Sequence, residues 1–185
     1  MPPYKKFNRE VILQTAFYLV REHGIDKLNA RNIAKALHSS TQPVFSCYKT
    51  MADLKADLFI MANRYYRRYF GKVEAGKNLF LNFALTYVNF AIEESNLFKF
   101  LFSPDKNEPS ANPAPGVFAR NTDTNLIFTD MRLYAHGIAS LIVTKQLCLE
   151  RSEIVLMLKN MFNLLSAEQP TKQALLPTSR DNPAL

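Results

Sequence analysis

Tryptophan is missing from this 185-residue chain, and glycine is scarce at 5 residues. No stretch alternates apolar and polar side chains in the manner of a half-buried strand. Scarce glycine and the lack of alternation argue against a sheet protein and for an all-α one. Cysteine occurs only as Cys47 and Cys148, far apart in sequence, which excludes a disulfide framework and makes a reducing cytoplasm the expected setting. The three histidines, His23, His38 and His136, share no metal-ligand spacing with one another or with the cysteines. No Gly-rich phosphate loop, nucleophile motif or paired-carboxylate arrangement is present, so neither cofactor, metal nor catalysis is expected. No apolar run approaches the ~18 residues of a membrane span. The basic start, Met1-Pro2-Pro3-Tyr4-Lys5-Lys6, is not followed by the apolar segment of a signal peptide.

What the chain has in quantity is apolar and aromatic mass. Its 48% apolar residues, among them 14 Phe and 8 Tyr, are enough for a sizeable core. The net charge is +7, and it is unevenly spread. Residues 1–72 carry 13 Lys/Arg against 5 Asp/Glu, whereas residues 73–185 carry 10 against 11. A basic first part attached to a near-neutral remainder suits contact with a polyanion, nucleic acid or membrane surface; a solubilising basic face is the plainer alternative.

Periodicity divides the chain into helices. Residues 8–23 place Ile12, Ala16, Leu19, Val20 and His23 on one side of an amphipathic helix ended by Gly24. Asn29 suits the N-cap of a short helix with Ala30, Ile33, Ala34 and Leu37 inward. Ser40 is the expected cap of a third helix containing Val44, Phe45 and Tyr48, with Pro43 in its first turn, where the missing N–H costs nothing. Thr50-Met51-Ala52-Asp53 reads as a capping box, with Asp in place of Glu, opening a long helix through Leu54, Leu58, Met61 and Tyr65 to about Phe70. Gly71 and Gly76 bracket its end. Further helices are expected over residues 77–95, with Phe80, Phe83, Tyr87, Phe90 and Ala91 repeating, and over 129–147 and 152–166. Residues 97–102 form a short, strongly apolar segment. The four prolines of residues 103–125 indicate a long loop in which Val117-Phe118-Ala119 is a candidate for local packing. A tail from Gln169 with three more prolines is expected to be irregular.

Two short helices joined by His38-Ser39-Ser40, with polar residues opening the second, meet the needs of a helix-turn-helix. Inward faces fix the crossing angle, and Thr41, Gln42 and Ser46 on the outer face can reach base edges. Glutamine can bind adenine through two hydrogen bonds, so Gln42 is the candidate base reader. Free N–H groups near Ser40–Gln42 also suit phosphate. Arg31, Ser39, Tyr48 and Lys49 are further phosphate candidates, with core packing as the alternative for Tyr48. Lys5, Lys6 and Arg9 are candidates for backbone contacts from an N-terminal arm. The run Arg64–Phe70 is read as a linker helix with an exposed basic face.

The stretches "ILQTAFYLVREHGIDKLNARNIAKAL" and "HSSTQPVFSCYKTMADLKADL" together resemble the N-terminal domain of the TetR/AcrR family of bacterial transcriptional regulators. The matching features are Gly24, the Asn29-Ala30-Arg31-Asn32-Ile33-Ala34 helix, the turn, Val44-Phe45-Ser46-Cys47-Tyr48 and the capped helix with Leu54 near its start. His38 stands where the family has a turn glycine, which requires left-handed geometry or a different bend. Phe45 replaces a tyrosine, and Met51 replaces a lysine.

The resemblance implies a three-helix helix-turn-helix domain over residues 1–50, contributing Lys5, Lys6, Arg31, Ser39, Ser40, Thr41, Gln42, Pro43, Ser46, Tyr48 and Lys49 to double-stranded DNA. It further implies a larger helical domain over 51–168 that binds a small apolar or amphipathic effector and forms a homodimer, followed by the tail 169–185. Met61, Tyr65, Phe83, Tyr87, Phe90, Phe98, Phe102 and Tyr134 are the candidate pocket residues, with plain core as their alternative. "LYAHGIASLIVTKQL" is similar to the first of the family's two dimer helices. Gly137, Ser140, Leu141, Ile154, Leu158, Met161, Phe162 and Leu165 are thus the expected interface. The implied function is a dimeric repressor, released by its effector from a pseudo-palindromic operator. A helical ligand-binding or interaction protein without operator binding is the alternative.

Overall fold

The computed structural model describes residues 7–71, 78–102 and 126–167. The elements in chain order are α1 (Arg9–His23), α2 (Ala30–Ala36), α3 (Gln42–Cys47), α4 (Met51–Phe70), α5 (Leu79–Glu93), α6 (Ser95–Phe102), α7 (Leu126–Val143) and α8 (Arg151–Ala167), with a 3-10 turn at Ile25–Lys27. The fold is all-α, a small helix-turn-helix unit followed by a larger helical body. No helix among the described residues is long and apolar enough to cross a membrane. The Pro-rich residues 103–125 with Val117–Ala119, Gly76, the arm lysines Lys5 and Lys6, and the tail from 169 lie outside the described residues.

Local chemistry sets the helix ends. Asn8 accepts from the Val11 N–H at 2.9 Å and opens α1. Gly24, at φ 83°, closes it with its own N–H on the Val20 carbonyl at 2.8 Å, a conformation that disfavours any residue with a Cβ. Asn29 caps α2 by accepting from Asn32 N–H at 2.9 Å. Thr50 and Asp53 form the reciprocal box at α4: Asp53 N–H donates to Thr50 Oγ1 at 3.1 Å, and Thr50 N–H to Asp53 Oδ2 at 2.9 Å. The third helix departs from expectation. Its N-cap is Thr41 rather than Ser40, without a side-chain hydrogen bond, although Pro43 does fall in its first turn. α7 ends at Val143 rather than at Leu147, because Lys145 turns the backbone left-handed at φ 60°.

Two clusters of buried side chains form the interior. Ile12, Ala16, Ile33, Val44, Tyr48 and Leu54 hold α1, α2, α3 and the start of α4 together. A larger cluster begins at Phe17 and Val20 of α1 and Leu58 of α4 and runs through α5 to α8. α1 and α4 thus serve both. The inward stripe of α4 is Leu54, Leu58, Ala62, Tyr66 and Phe70, not the expected Met61 and Tyr65, which are half-buried at its edge. His23, expected inward, is exposed in the last turn of α1.

Candidate nucleic-acid interface and effector region

The turn between α2 and α3 is built by backbone geometry. After the C-cap Leu37, His38 adopts φ 49°, the left-handed conformation in which glycine is usual. Its N–H reaches the Lys35 carbonyl at 3.1 Å, and the Ser39 N–H reaches that of Ala34 at 2.9 Å. These paired bonds close the end of α2 and swing the chain into α3. A six-residue helix cannot hold itself together in water. Its place comes from Val44, fully buried, and from Tyr48 just past its end.

That packing leaves one side of α3 free. Ser40, Gln42, Phe45 and Ser46 are exposed, while Thr41, Pro43 and Ser39 are half-buried. The Ser46 hydroxyl donates to the Gln42 carbonyl at 2.9 Å, and that of Ser39 to the Ser40 carbonyl at 3.0 Å. Arg31 on α2 and Lys49 after α3 are exposed. Phe45, which stands in the sequence where the family has a tyrosine, is 52% exposed, an unusual position for a phenyl ring. A groove of about 490 Å³ opens beside it, walled by Phe45, Lys49 and Asp53.

Two expected DNA contacts are corrected. Tyr48 is only 2% exposed, and its hydroxyl donates to Asp57 Oδ2 at 3.1 Å, so the phenol belongs to the core and not to a phosphate-binding face. Arg9 is not part of a free arm. It donates twice to the same Asp57 oxygen, at 2.8 and 3.0 Å, and its guanidinium lies 4.4 Å from the centre of the Tyr48 ring.

A second polar cluster joins the helix-turn-helix unit to the larger body. Glu94, 6% exposed between α5 and α6, accepts two hydrogen bonds from Arg21 of α1 and one at 2.7 Å from the hydroxyl of Tyr65 of α4. Asn96 Nδ2 donates to the Arg21 carbonyl at 3.0 Å. Burial pushes the Glu94 carboxyl up, but the hydrogen bonds from Arg21 and Tyr65 outweigh it and hold it below the ordinary carboxylate value. This cluster takes Tyr65 out of the expected pocket. Its ring packs on Phe17 at 5.4 Å, at the α1 junction.

Of the other expected pocket residues, Phe83, Tyr87, Phe90 and Phe98 are buried and mutually packed in the larger core, with Phe102 half-buried against them. The rings of Tyr87 and Phe98 lie 5.7 Å apart, and those of Phe98 and Phe102 4.9 Å apart. Met61 and Tyr134 lie half-buried at the margin. Tyr66 and His136 belong to the same cluster and were not among the expected lining residues. Tyr66 stacks edge-on against Phe90 at 5.0 Å and Phe102 at 5.4 Å. The Tyr87 hydroxyl lies 2.8 Å from His136 Nδ1. An i, i+4 count from Leu58 through Ala62 was the signal for Tyr66.

Two residues of the expected dimer interface are likewise corrected. Ile154 and Leu158 point into the core of their own subunit, at 4% and 0% exposure, and are unavailable to a partner. Met161, Phe162 and Leu165 are half-buried against that core. Gly137 and Leu141 are exposed on α7 and Ser140 half-exposed. The exposed leucines Leu133, Leu156 and Leu164 share the outward sides of α7 and α8 and were not foreseen.

No family model matches the chain. Nor does any curated protein match it. Among solved structures, the chain is similar to that of the multidrug binding protein EbrR complexed with imidazole. The TM-score is 0.59 and the sequence identity 16%, over 83% of this chain and 88% of that one. The likeness covers most of both chains, and it establishes the fold.

Proposed function

We propose that this chain is a DNA-binding transcriptional regulator that responds to a small ligand, acting as a homodimeric repressor on a pseudo-palindromic operator. The observation that carries the reading is the outward side of α3. Gln42, Phe45 and Ser46 are exposed on a helix whose other side is fixed by Val44, in the part of the chain with 13 of the 23 basic residues. The resemblance of residues 9–59 to the TetR/AcrR family and the fold shared with a multidrug binding protein support it. Residues 1–50 read DNA, with Gln42 at base edges and Arg31 and Lys49 at phosphates. Residues 51–168 bind the effector and pair the subunits through Leu133, Gly137 and Leu141 of α7 and Leu156 and Leu164 of α8. An effector acts by binding better to a dimer whose two α3 helices are misspaced for one face of the duplex.

Selection of bound fragments from a random duplex library tests this directly. A two-fold symmetric site should be enriched, and the double variant Gln42→Ala, Arg31→Ala should lose about tenfold or more in affinity for it. Undiminished binding by that variant removes α3 from the interface.

A further inference from the structure

We infer that the aromatic core is a binding site for a weak organic acid: a flat apolar body carrying a carboxylate, received by Tyr66, His136 and Arg132. The inference rests on the effector reading above and names its ligand class.

The first observation is an unpartnered hydroxyl. Tyr66 is 1% exposed, and its Oη has no hydrogen-bond partner among the described residues. A buried hydroxyl left unpaired destabilises the fold, and phenylalanine would fill the same space without that cost. The hydroxyl is a donor without a partner among the described residues, inside a cluster contributed by four helices: Tyr66 from α4, Tyr87 from α5, Phe98 and Phe102 from α6, and His136 from α7.

The second observation is the polar lining of that cluster. His136 holds the Tyr87 hydroxyl at Nδ1, at 2.8 Å, and the Ser140 hydroxyl at Nε2, at 3.3 Å. Burial lowers the His136 pKa, with Arg132 adding to the effect, so at neutral pH the imidazole is uncharged and able to exchange one hydrogen bond for another.

The third observation is the sign of the local charge. Arg132 lies one helical turn before His136. It is the one charged side chain among the described residues whose field acts on Tyr66, Tyr87 and His136 alike. Among the described residues, Glu94 is engaged by Arg21 and Tyr65 and Glu93 by the Tyr69 hydroxyl at 2.7 Å, and no carboxylate acts on Tyr66, Tyr87 or His136. Among the described residues the region is therefore electropositive, with a hydroxyl donor and one cation. It draws an anion and repels a cation. The walls are aromatic, with His136 5.9 Å from Phe98 and 6.1 Å from Phe102, so the body of the ligand stacks as a ring does.

Titration calorimetry on the full chain with 2-naphthoate, 2-naphthylmethanol and 2-naphthylmethylammonium tests the inference. Naphthoate should bind about tenfold or more tighter than the ammonium, as expected for one charge-assisted hydrogen bond. Arg132→Gln should erase that preference. Tyr66→Phe should weaken naphthoate about tenfold and leave the thermal midpoint equal or higher. Equal affinity for the acid and the ammonium, absence of saturable binding, or full naphthoate affinity in Tyr66→Phe would each overturn the site. So would a lowered midpoint in that variant, because it would mean that the phenol already has a structural partner. The DNA selection is run without ligand, so the two readings fail separately. Enriched DNA without acid preference removes only this site, and acid preference without enriched DNA removes only the regulator.

Discussion

The core around Ile12, Ile33, Val44 and Leu54 is small and mostly aliphatic, whereas the core from α4 to α8 is a lattice of aromatic rings with hydroxyls and an imidazole inside it. In the first, the one buried phenol, Tyr48, is paired with Asp57. In the second, the Tyr66 hydroxyl has no partner among the described residues and that of Tyr87 is shared with His136. An interior of branched aliphatic chains has one good packing and no polar demands, which suits a unit that must present the same surface every time. Large rings with unspent hydrogen-bonding capacity suit a unit that accepts a guest. The two are not independent bodies, because α1 and α4 contribute to both and Glu94 ties Arg21 to Tyr65 at their junction.

The strongest test of that junction is to damage each core in turn. Phe90→Ala, at a fully buried ring of the larger core, should cost about 4 kcal/mol, and Ile33→Ala, in the smaller, about 3 kcal/mol. Because two helices are shared, urea unfolding of Ile33→Ala should stay a single transition by far- and near-ultraviolet circular dichroism. A separate early step would show that the small core melts alone.

A smaller effect is expected from Glu94→Gln, which keeps the shape of the junction and removes its charge, at a cost of about 2 kcal/mol. The sign of its pH dependence follows from the depressed Glu94 carboxyl. Its stabilisation is present above the ordinary carboxylate pKa, ~4.3, and is lost as pH falls through the lower folded value. His136, also depressed, begins its own loss below its ordinary value of 6.5. Urea midpoints from pH 7 to 3 should therefore fall throughout, and Glu94→Gln should flatten the lower part of the curve. An unchanged lower slope would mean that the junction is not held by this charge.

The smallest effect concerns the turn. Relief of left-handed strain in His38→Gly, less the extra freedom of the unfolded chain, should stabilise by about 0.5 kcal/mol. A loss of stability would show that the imidazole makes a contact that outweighs the strain.

Much of the N-terminal unit was legible because its signals are local. Asn29 and the Thr50–Asp53 box each act within three residues, and of the two bends left open for His38 the chain takes the left-handed one. The larger core was read less well. Arg64, Arg67 and Arg68 are exposed as expected, but the basic pattern around them hid Tyr66, the inward residue of the same run. Arg21 and Glu94 lie 73 residues apart, and no periodicity announces a pair closed by folding. Ile154 and Leu158 share their helix with Leu156 and Leu164, so apolar content alone could not say which side meets the subunit's own core.

The hold on α3 has a consequence for how such a protein changes over generations. Val44 and Tyr48 fix the six-residue helix from behind, so the exposed Gln42, Phe45 and Ser46 contribute less than they do to keeping the chain folded. Those positions are free to vary, and a lineage can explore new outer faces on α3 without first surviving a loss of stability. The constraint falls instead on residues that never leave the interior, so a fixed scaffold behind α3 is what makes its surface evolvable.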